Sequence, residues 1–304
     1  MPAPLRAGVH TSIAKSLEEA ALHAHRLGCD TFQIFSASPR MWRASMPSLP
    51  AIARLRHARE KHNLHPLVIH DNYLINLASA DTSIRKQSIA AFRGELERAI
   101  LIGAEYLVAH PGSYKNQSLE QALLTLSDSL AEASRGIRST HLTLLLENTA
   151  GQGSAIGSRI EELAAIRHLA INRIEYEIGF CLDTAHLLAA GYNIATAAGL
   201  KDTLAQAEAV LPLDRIHVIH ANDSKAPLGS RIDRHQHIGK GHIGEDAFRR
   251  IVRHPKLRHK AFILETPIDD DGDDERNLST LRRLAVAHPH GVPRRDSSPR
   301  KPAS

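Results

Sequence analysis

The stretch from Ile216 to Gly244 closes a short β-branched run on His220 and then carries Asp233 and His235 in a loop rich in ligand-type side chains. Residues two apart in an extended segment project to the same side, so Asp233 and His235 suit one metal ion. Taken singly, His220 reads as a packed strand-end histidine and the other two as a solvated loop. Together they point to metal chemistry. Asp183 and His186 add a D-x-x-H pair, spaced so that a strand end and the loop after it could serve neighbouring ions.

The elements that must position these residues follow from the hydrophobic pattern. Eight short apolar or β-branched runs recur: Arg6 to His10, Thr31 to Phe35, Pro66 to His70, Tyr106 to His110, Leu142 to Glu147, Ile178 to Asp183, Ile216 to His220 and Ala261 to Glu265. Longer segments with helical periodicity lie between them, such as Ile13 to Leu27, Ser83 to Leu101, Ser118 to Arg135, Arg159 to His168 and Ala195 to Val210. That alternation is the signature of βα units on a parallel sheet, and eight units give a single (β/α)8 TIM barrel of the α/β class. Six of the runs end on His70, His110, Glu147, Asp183, His220 and Glu265, and the first ends on His10. All C-terminal strand ends of such a barrel face one rim, so these residues converge on one pocket. Unrelated strand-end polar residues would not avoid Ser, Asn and Lys so consistently.

Imidazoles mixed with carboxylates, without thiolates, suit Zn2+ or Mn2+ better than Mg2+ or Ca2+. About nine candidate ligands exceed what one tetrahedral ion needs, so two or three ions are implied. Glu147 or Glu265 could bridge two of them.

Composition narrows the setting. With 304 residues and 42% hydrophobic content the chain can bury a large core. Cys29 and Cys181 lie far apart without C-x-x-C spacing, which excludes a disulfide framework or a thiolate zinc finger; both are expected to be reduced in the core. Neither an apolar leader at Met1 to Arg6 nor a membrane-length apolar run is present, so a cytoplasmic, non-membrane protein is expected. A net charge of +5 favours polyanionic partners. Residues 1–287 are expected to form the barrel domain, and 288–304, rich in Pro, Ser and Arg, a disordered basic tail. The acidic run Asp269 to Glu275 reads as a solvated loop, and Gly151 and Gly153, which lack the strand, spacing and Lys of a P-loop, as backbone freedom after a strand.

Longer motifs then carry a resemblance. HDNYLINLAS from His70, HPGS from His110, LLENTAGQGSAIG from Leu145, GFCLDTAHLLAAGYNI from Gly179, HANDSKAPLGSRIDRH from His220 and ILETP from Ile263 together resemble the endonuclease IV family of apurinic/apyrimidinic endonucleases. The resemblance runs from about Arg6 to Pro267, departing at Tyr114 and at the GKG of Gly239 to Gly241. It implies a trinuclear zinc centre, with Mn2+ an alternative at one position. His70, His110 and Glu147 would hold one ion, Glu147 would bridge to a second shared with Asp183, His220 and Glu265, and His186, Asp233 and His235 would hold the third. The implied substrate is double-stranded DNA with an abasic site, cut on the 5′ side to leave a 3′-hydroxyl and a 5′-deoxyribose phosphate, by a monomeric enzyme. Glu147 or Glu265 would orient the attacking water or accept its proton. Arg40 and Tyr73 match the side chains that the family inserts into the minor groove. Lys225, Arg231, Arg234 and Lys240 would contact phosphates from the same rim.

Two other classes are distinguishable by assay. A two-metal sugar isomerase would need neither the trio of His186, Asp233 and His235 nor Arg40 with Tyr73, and a non-catalytic zinc-dependent DNA-binding protein would leave the strand intact.

Overall fold

A computed structural model describes residues 5–286 of the chain. Strands β1 (Arg6–Val9), β2 (Phe32–Phe35), β3 (Leu67–His70), β4 (Tyr106–Ala109), β5 (Arg138–Glu147), β6 (Glu175–Asp183) and β7 (Ile216–His220) run parallel around a barrel. A small antiparallel ribbon, β8 (Asp223–Ser224) with β9 (His235–Gln236), follows β7, and β10 (Ala261–Leu264) is the last barrel strand. The eight-stranded sheet has the order β1-β10-β7-β6-β5-β4-β3-β2. Its two ends meet where the Thr11 N–H donates to the Gln33 carbonyl at 2.8 Å, beside a parallel bridge between His10 and Gln33.

Helices cover the outside: α1 (Leu17–Arg26), α2 (Leu49–His62), α3 (Thr82–Ile102), α4 (Leu119–Ala133), α5 (Ile160–Ala170), α6 (Thr184–Ala190), α7 (Ala197–Val210), α8 (Glu245–Arg253) and α9 (Asp273–Ala285). Their starts follow side-chain caps. The Ser16 hydroxyl accepts from the Glu19 N–H, so α1 begins at Leu17 and not at Ile13, and Ser118 accepts from Gln121 to start α4. Strands β5 and β6 extend further back than the apolar pattern suggests, through polar, exposed residues that still pair, with a register shift between Arg138 and Thr143.

Side-chain alternation divides the core in two. Val68, Val108, Leu145, Cys181, Val218 and Ile263 fill the barrel interior, while Ile69, Leu107, Leu144, Leu146, Phe180 and Phe262 face outward into the helix layer. Where β2 ends, Ser36 meets a buried ion pair: Arg98 and Glu95 of α3 lie 2.8 Å apart, and the Arg98 Nε–H also donates to the Ser36 hydroxyl at 2.6 Å. Removing one partner of such a pair typically costs about 3–5 kcal/mol, so the start of the loop that follows β2 is firmly held.

The acidic run is not simply a solvated loop. Asp273 is buried, and its carboxylate accepts the Asp269 and Asp270 N–H groups at 2.9 and 2.8 Å, so the run folds into a turn that opens α9. Asp274 and Glu275 then lie in the first turn, where the helix dipole favours negative charge. Both cysteines are free and buried, as expected, and burial pushes each thiol up to about 12. Among the described residues no helix is long and apolar enough to cross a membrane. The expected tail at 288–304 lies outside the described residues.

Candidate metal centre

Each barrel-rim candidate is the next inward position beyond a residue of the inner core. His70 follows Val68 by two, His110 follows Val108, Glu147 follows Leu145, Asp183 follows Cys181, His220 follows Val218 and Glu265 follows Ile263. The period of two that packs the interior therefore also aims these six side chains at one point above it. His186 reaches the same place from the first turn of α6, because Asp183 caps that helix by accepting the His186 N–H at 2.7 Å. Asp233 arrives from the loop between β8 and β9, and His235 from the start of β9.

Three groups of ligand atoms result. His70 Nε2 and His110 Nε2 lie 3.2 and 3.1 Å from Glu147 Oε2. The other oxygen, Glu147 Oε1, is 2.9 Å from His220 Nδ1, which is itself 3.1 Å from Glu265 Oε2. His186 Nε2 and His235 Nε2 lie 3.2 and 3.4 Å from the two oxygens of Asp233. Tetrahedral bonds of about 2.0–2.1 Å imply ligand atoms roughly 3.3 Å apart, so these spacings fit zinc. Glu147 divides its oxygens between the first two groups, the arrangement a bridging carboxylate needs. With His186 and His235 it is Asp183, not Asp233, that closes to mutual ligand distance, and Asp183 also lies in the second group, a wider sharing than the motif resemblance implies.

The imidazoles are held in single tautomers. A backbone carbonyl only accepts, so His70 donates through Nδ1 to Asp71 (3.0 Å), His186 to Asn148 (2.9 Å) and His235 to Glu265 (3.0 Å), leaving each Nε2 lone pair for the site. His186 Nε2 and His235 Nε2 are buried and, although close to the Asp233 oxygens, make no well-directed hydrogen bond among the described residues. Buried polar atoms are rarely left so. Two such nitrogens facing one carboxylate form a donor set that fits a cation.

Charge accumulates accordingly. Burial is the largest influence on Glu147 and would raise its pKa, but His220 and His110 together hold it well below the usual carboxylate range. Burial likewise pulls His70 down, yet its hydrogen bond and ion pair with Glu147 carry it up to about 9. A dication held here would replace the proton that Glu147 favours on His70.

Sequence reading overlooked the residues that orient the ligands. Asn222 donates to Asp183 Oδ2 at 2.6 Å and accepts the Glu265 N–H at 2.8 Å. Asp223 accepts five backbone N–H groups, from Ser224, Gly239, Gly241, Ile243 and Gly244, at 2.8–3.2 Å, and so gathers both ends of the loop bearing Asp233 and His235. A Cβ on Gly241 would stand 2.3 Å from the Ser224 carbonyl, so only glycine fits there. The one available signal was polar residues where the apolar pattern would continue, Gln33 within FQIF and Asn222-Asp223 beyond β7.

The proposed DNA contacts line the same rim. Tyr73 is 64% exposed and stands edge-on to Phe35 with ring centroids 5.2 Å apart; Arg40 is exposed on the loop after β2. Lys225, Arg231, Arg234 and Lys240 are all exposed on the loop from β8 to α8. Arg231 has φ 55°, a left-handed conformation unusual for this residue, and its N–H donates to the Ala189 carbonyl at 2.9 Å. Gly151 and Gly153, also left-handed, turn the neighbouring loop.

A barrel whose rim gathers histidines and carboxylates in this way falls within the class described as xylose isomerase-like TIM barrels, and the profile of that class matches residues 21–285. The chain is 59% identical over 281 residues to the probable endonuclease 4 of Solibacter usitatus, covering 92% of this chain and 97% of that one. It is 40% identical over 282 residues to the probable endonuclease 4 of Methanoculleus marisnigri, covering 92% and 99%. The solved structure of endonuclease IV from Thermus thermophilus matches with a TM-score of 0.81 at 38% identity, covering 92% of this chain and 98% of that one. The chain belongs to the endonuclease IV family, and it is a nuclease of that type.

Proposed function

We propose that the chain is a zinc-dependent DNA repair endonuclease that hydrolyses the phosphodiester on the 5′ side of an abasic site, releasing a 3′-hydroxyl and a 5′-deoxyribose phosphate. The observation that carries this reading is the division of Glu147 between two ligand groups, beside a third group whose histidine nitrogens are buried without a well-directed hydrogen bond. When bound, zinc ions supply an activated water and neutralise charge building up on the phosphate. His70, His110 and Glu147 would hold one; Glu147, Asp183, His220 and Glu265 another; His186, Asp233 and His235 the third, with Mn2+ an alternative at one position.

The chain's own groups do the rest. Glu147 is enclosed and holds two ligand groups in register, and Glu147 or Glu265 orients the attacking water or accepts its proton. No side-chain nucleophile is required. Arg40 and Tyr73 fill the gap left in the duplex as the abasic nucleotide leaves the stack. Extruding a nucleotide without a base sacrifices less stacking and pairing than flipping an intact one, and discrimination arises from that difference. Lys225, Arg231, Arg234 and Lys240 meet phosphates, contributing position and salt dependence but no sequence reading. The trio of His186, Asp233 and His235, together with an exposed aromatic at the rim, separates this site from what a two-metal sugar isomerase needs.

The test is cleavage of a duplex with one defined abasic site, before and after strong chelation. The proposal expects a single cut, an end that a polymerase extends, and loss of cutting on chelation with recovery on zinc. Sugar turnover without incision, or tight binding of abasic duplex without a cut, would overturn it.

A further inference from the structure

Gln33 lies fully buried beneath the rim on β2 and touches three of its side chains. Its Nε2 stands 2.6 Å from Glu265 Oε1 and 3.0 Å from His10 Nδ1, and its Oε1 is 2.8 Å from His220 Nε2. These contacts leave no choice of orientation. A carboxylate only accepts, so the amide nitrogen must face Glu265; the amide oxygen must then face His220 and receive its Nε2–H. The second amide proton goes to His10 Nδ1. His220 therefore presents the Nδ1 lone pair, and Glu265 has one oxygen occupied and Oε2 left, 3.1 Å from that nitrogen.

Resting on the functional reading above, we propose that Gln33 is the positioning residue of the second ion's site, setting His220 and Glu265 at once from a single carboxamide. The two ligands belong to β7 and the end of β10, while Gln33 belongs to the strand at which the sheet closes. One side chain thus ties the closure of the barrel to the shape of its rim. His10, the strand-end histidine absent from the three ligand groups, has its role here: it accepts the remaining amide proton and stacks tilted on Phe35 with ring centroids 4.4 Å apart. Groups that orient metal-bound histidines and carboxylates are typically worth about 10–100-fold in metal affinity.

Gln33→Met keeps the length of the side chain and removes every polar atom; Gln33→Glu keeps an acceptor for His220 but faces Glu265 with a second carboxylate. Zinc content per chain, the time course of zinc transfer to a chelator and the visible absorption of the cobalt-substituted protein would be recorded for wild type and both variants. Thermal melting of the metal-free forms would show that each is folded. The expected result is that wild type releases zinc in distinguishable phases and that both variants lose one ion about 10–100-fold more readily, with a changed cobalt band and the other phases unaltered. Wild-type zinc content, release and cobalt spectrum in both folded variants would overturn the role of Gln33. Wild type that takes up no zinc would overturn the functional reading itself, a separate outcome.

Discussion

The Asn72 side-chain amide donates to the Met41 carbonyl at 2.5 Å, tying the turn that carries Tyr73 to the loop that carries Arg40. The same side chain accepts the Leu74 N–H at 2.8 Å through Oδ1, so Asn72 is fixed by its own turn while it holds the neighbouring loop. Asn72→Ala removes this part-buried hydrogen bond, a loss of about 0.5–1.5 kcal/mol. Taken from the alignment of the two side chains proposed to enter the duplex, it should lower kcat/KM for abasic-site incision by roughly two- to tenfold. Metal content should not change. Steady-state incision with parallel metal analysis checks this; unchanged kcat/KM would separate Asn72 from recognition.

Arg231 tests phosphate contact apart from folding. Its left-handed backbone costs a non-glycine residue about 1–2 kcal/mol, which Arg231→Gly relieves while adding freedom to the unfolded chain. The two effects nearly cancel, so the melting temperature should stay close to wild type. Affinity for DNA should fall on abasic and intact duplexes alike, and the slope of log K against log salt should shrink by about one. A variant with wild-type salt dependence would remove Arg231 from the interface.

Much of this architecture is legible in the sequence, because one rule serves both core and site. The period of two that puts Val68, Leu145 and Val218 inside the barrel also puts His70, Glu147 and His220 at its rim, so recognising the strands finds the ligands. The loop contribution was legible for a different reason, since Asp233 and His235 stand two apart in an irregular segment. What stayed hidden depends on distance through space. Gln33 meets Glu265 across 232 positions of sequence, and Asp223 gathers N–H groups that carry no side-chain signature. The turn folded around Asp273 was hidden likewise, because an unbroken run of acidic and glycine residues looks solvated until one carboxylate is seen to cap the others' backbone.

The pH dependence of metal uptake follows from His70. Its pKa in the metal-free fold is raised from 6.5 to about 9, with burial opposing and Glu147 prevailing. Stability from that protonated pair is fully present below pH 6.5 and fades as pH rises through about 9. Zinc must displace the proton, so loading at about pH 7 should release protons and its affinity should fall as the pH is lowered. Calorimetric titration in buffers of different ionisation enthalpy measures the release. Uptake without proton release would show that His70 is already neutral in the metal-free fold.

A trinuclear zinc centre that cuts DNA is tested by metal content per chain, measured on the same preparation as abasic-site incision, for wild type and for His235→Ala. Wild type should hold three zinc ions per chain and cut efficiently. His235→Ala should stay folded, keep two ions and lose most of its incision, since His186 and Asp233 alone make a poor site. Full activity in protein shown to be metal-free, or three ions retained by His235→Ala, would contradict it.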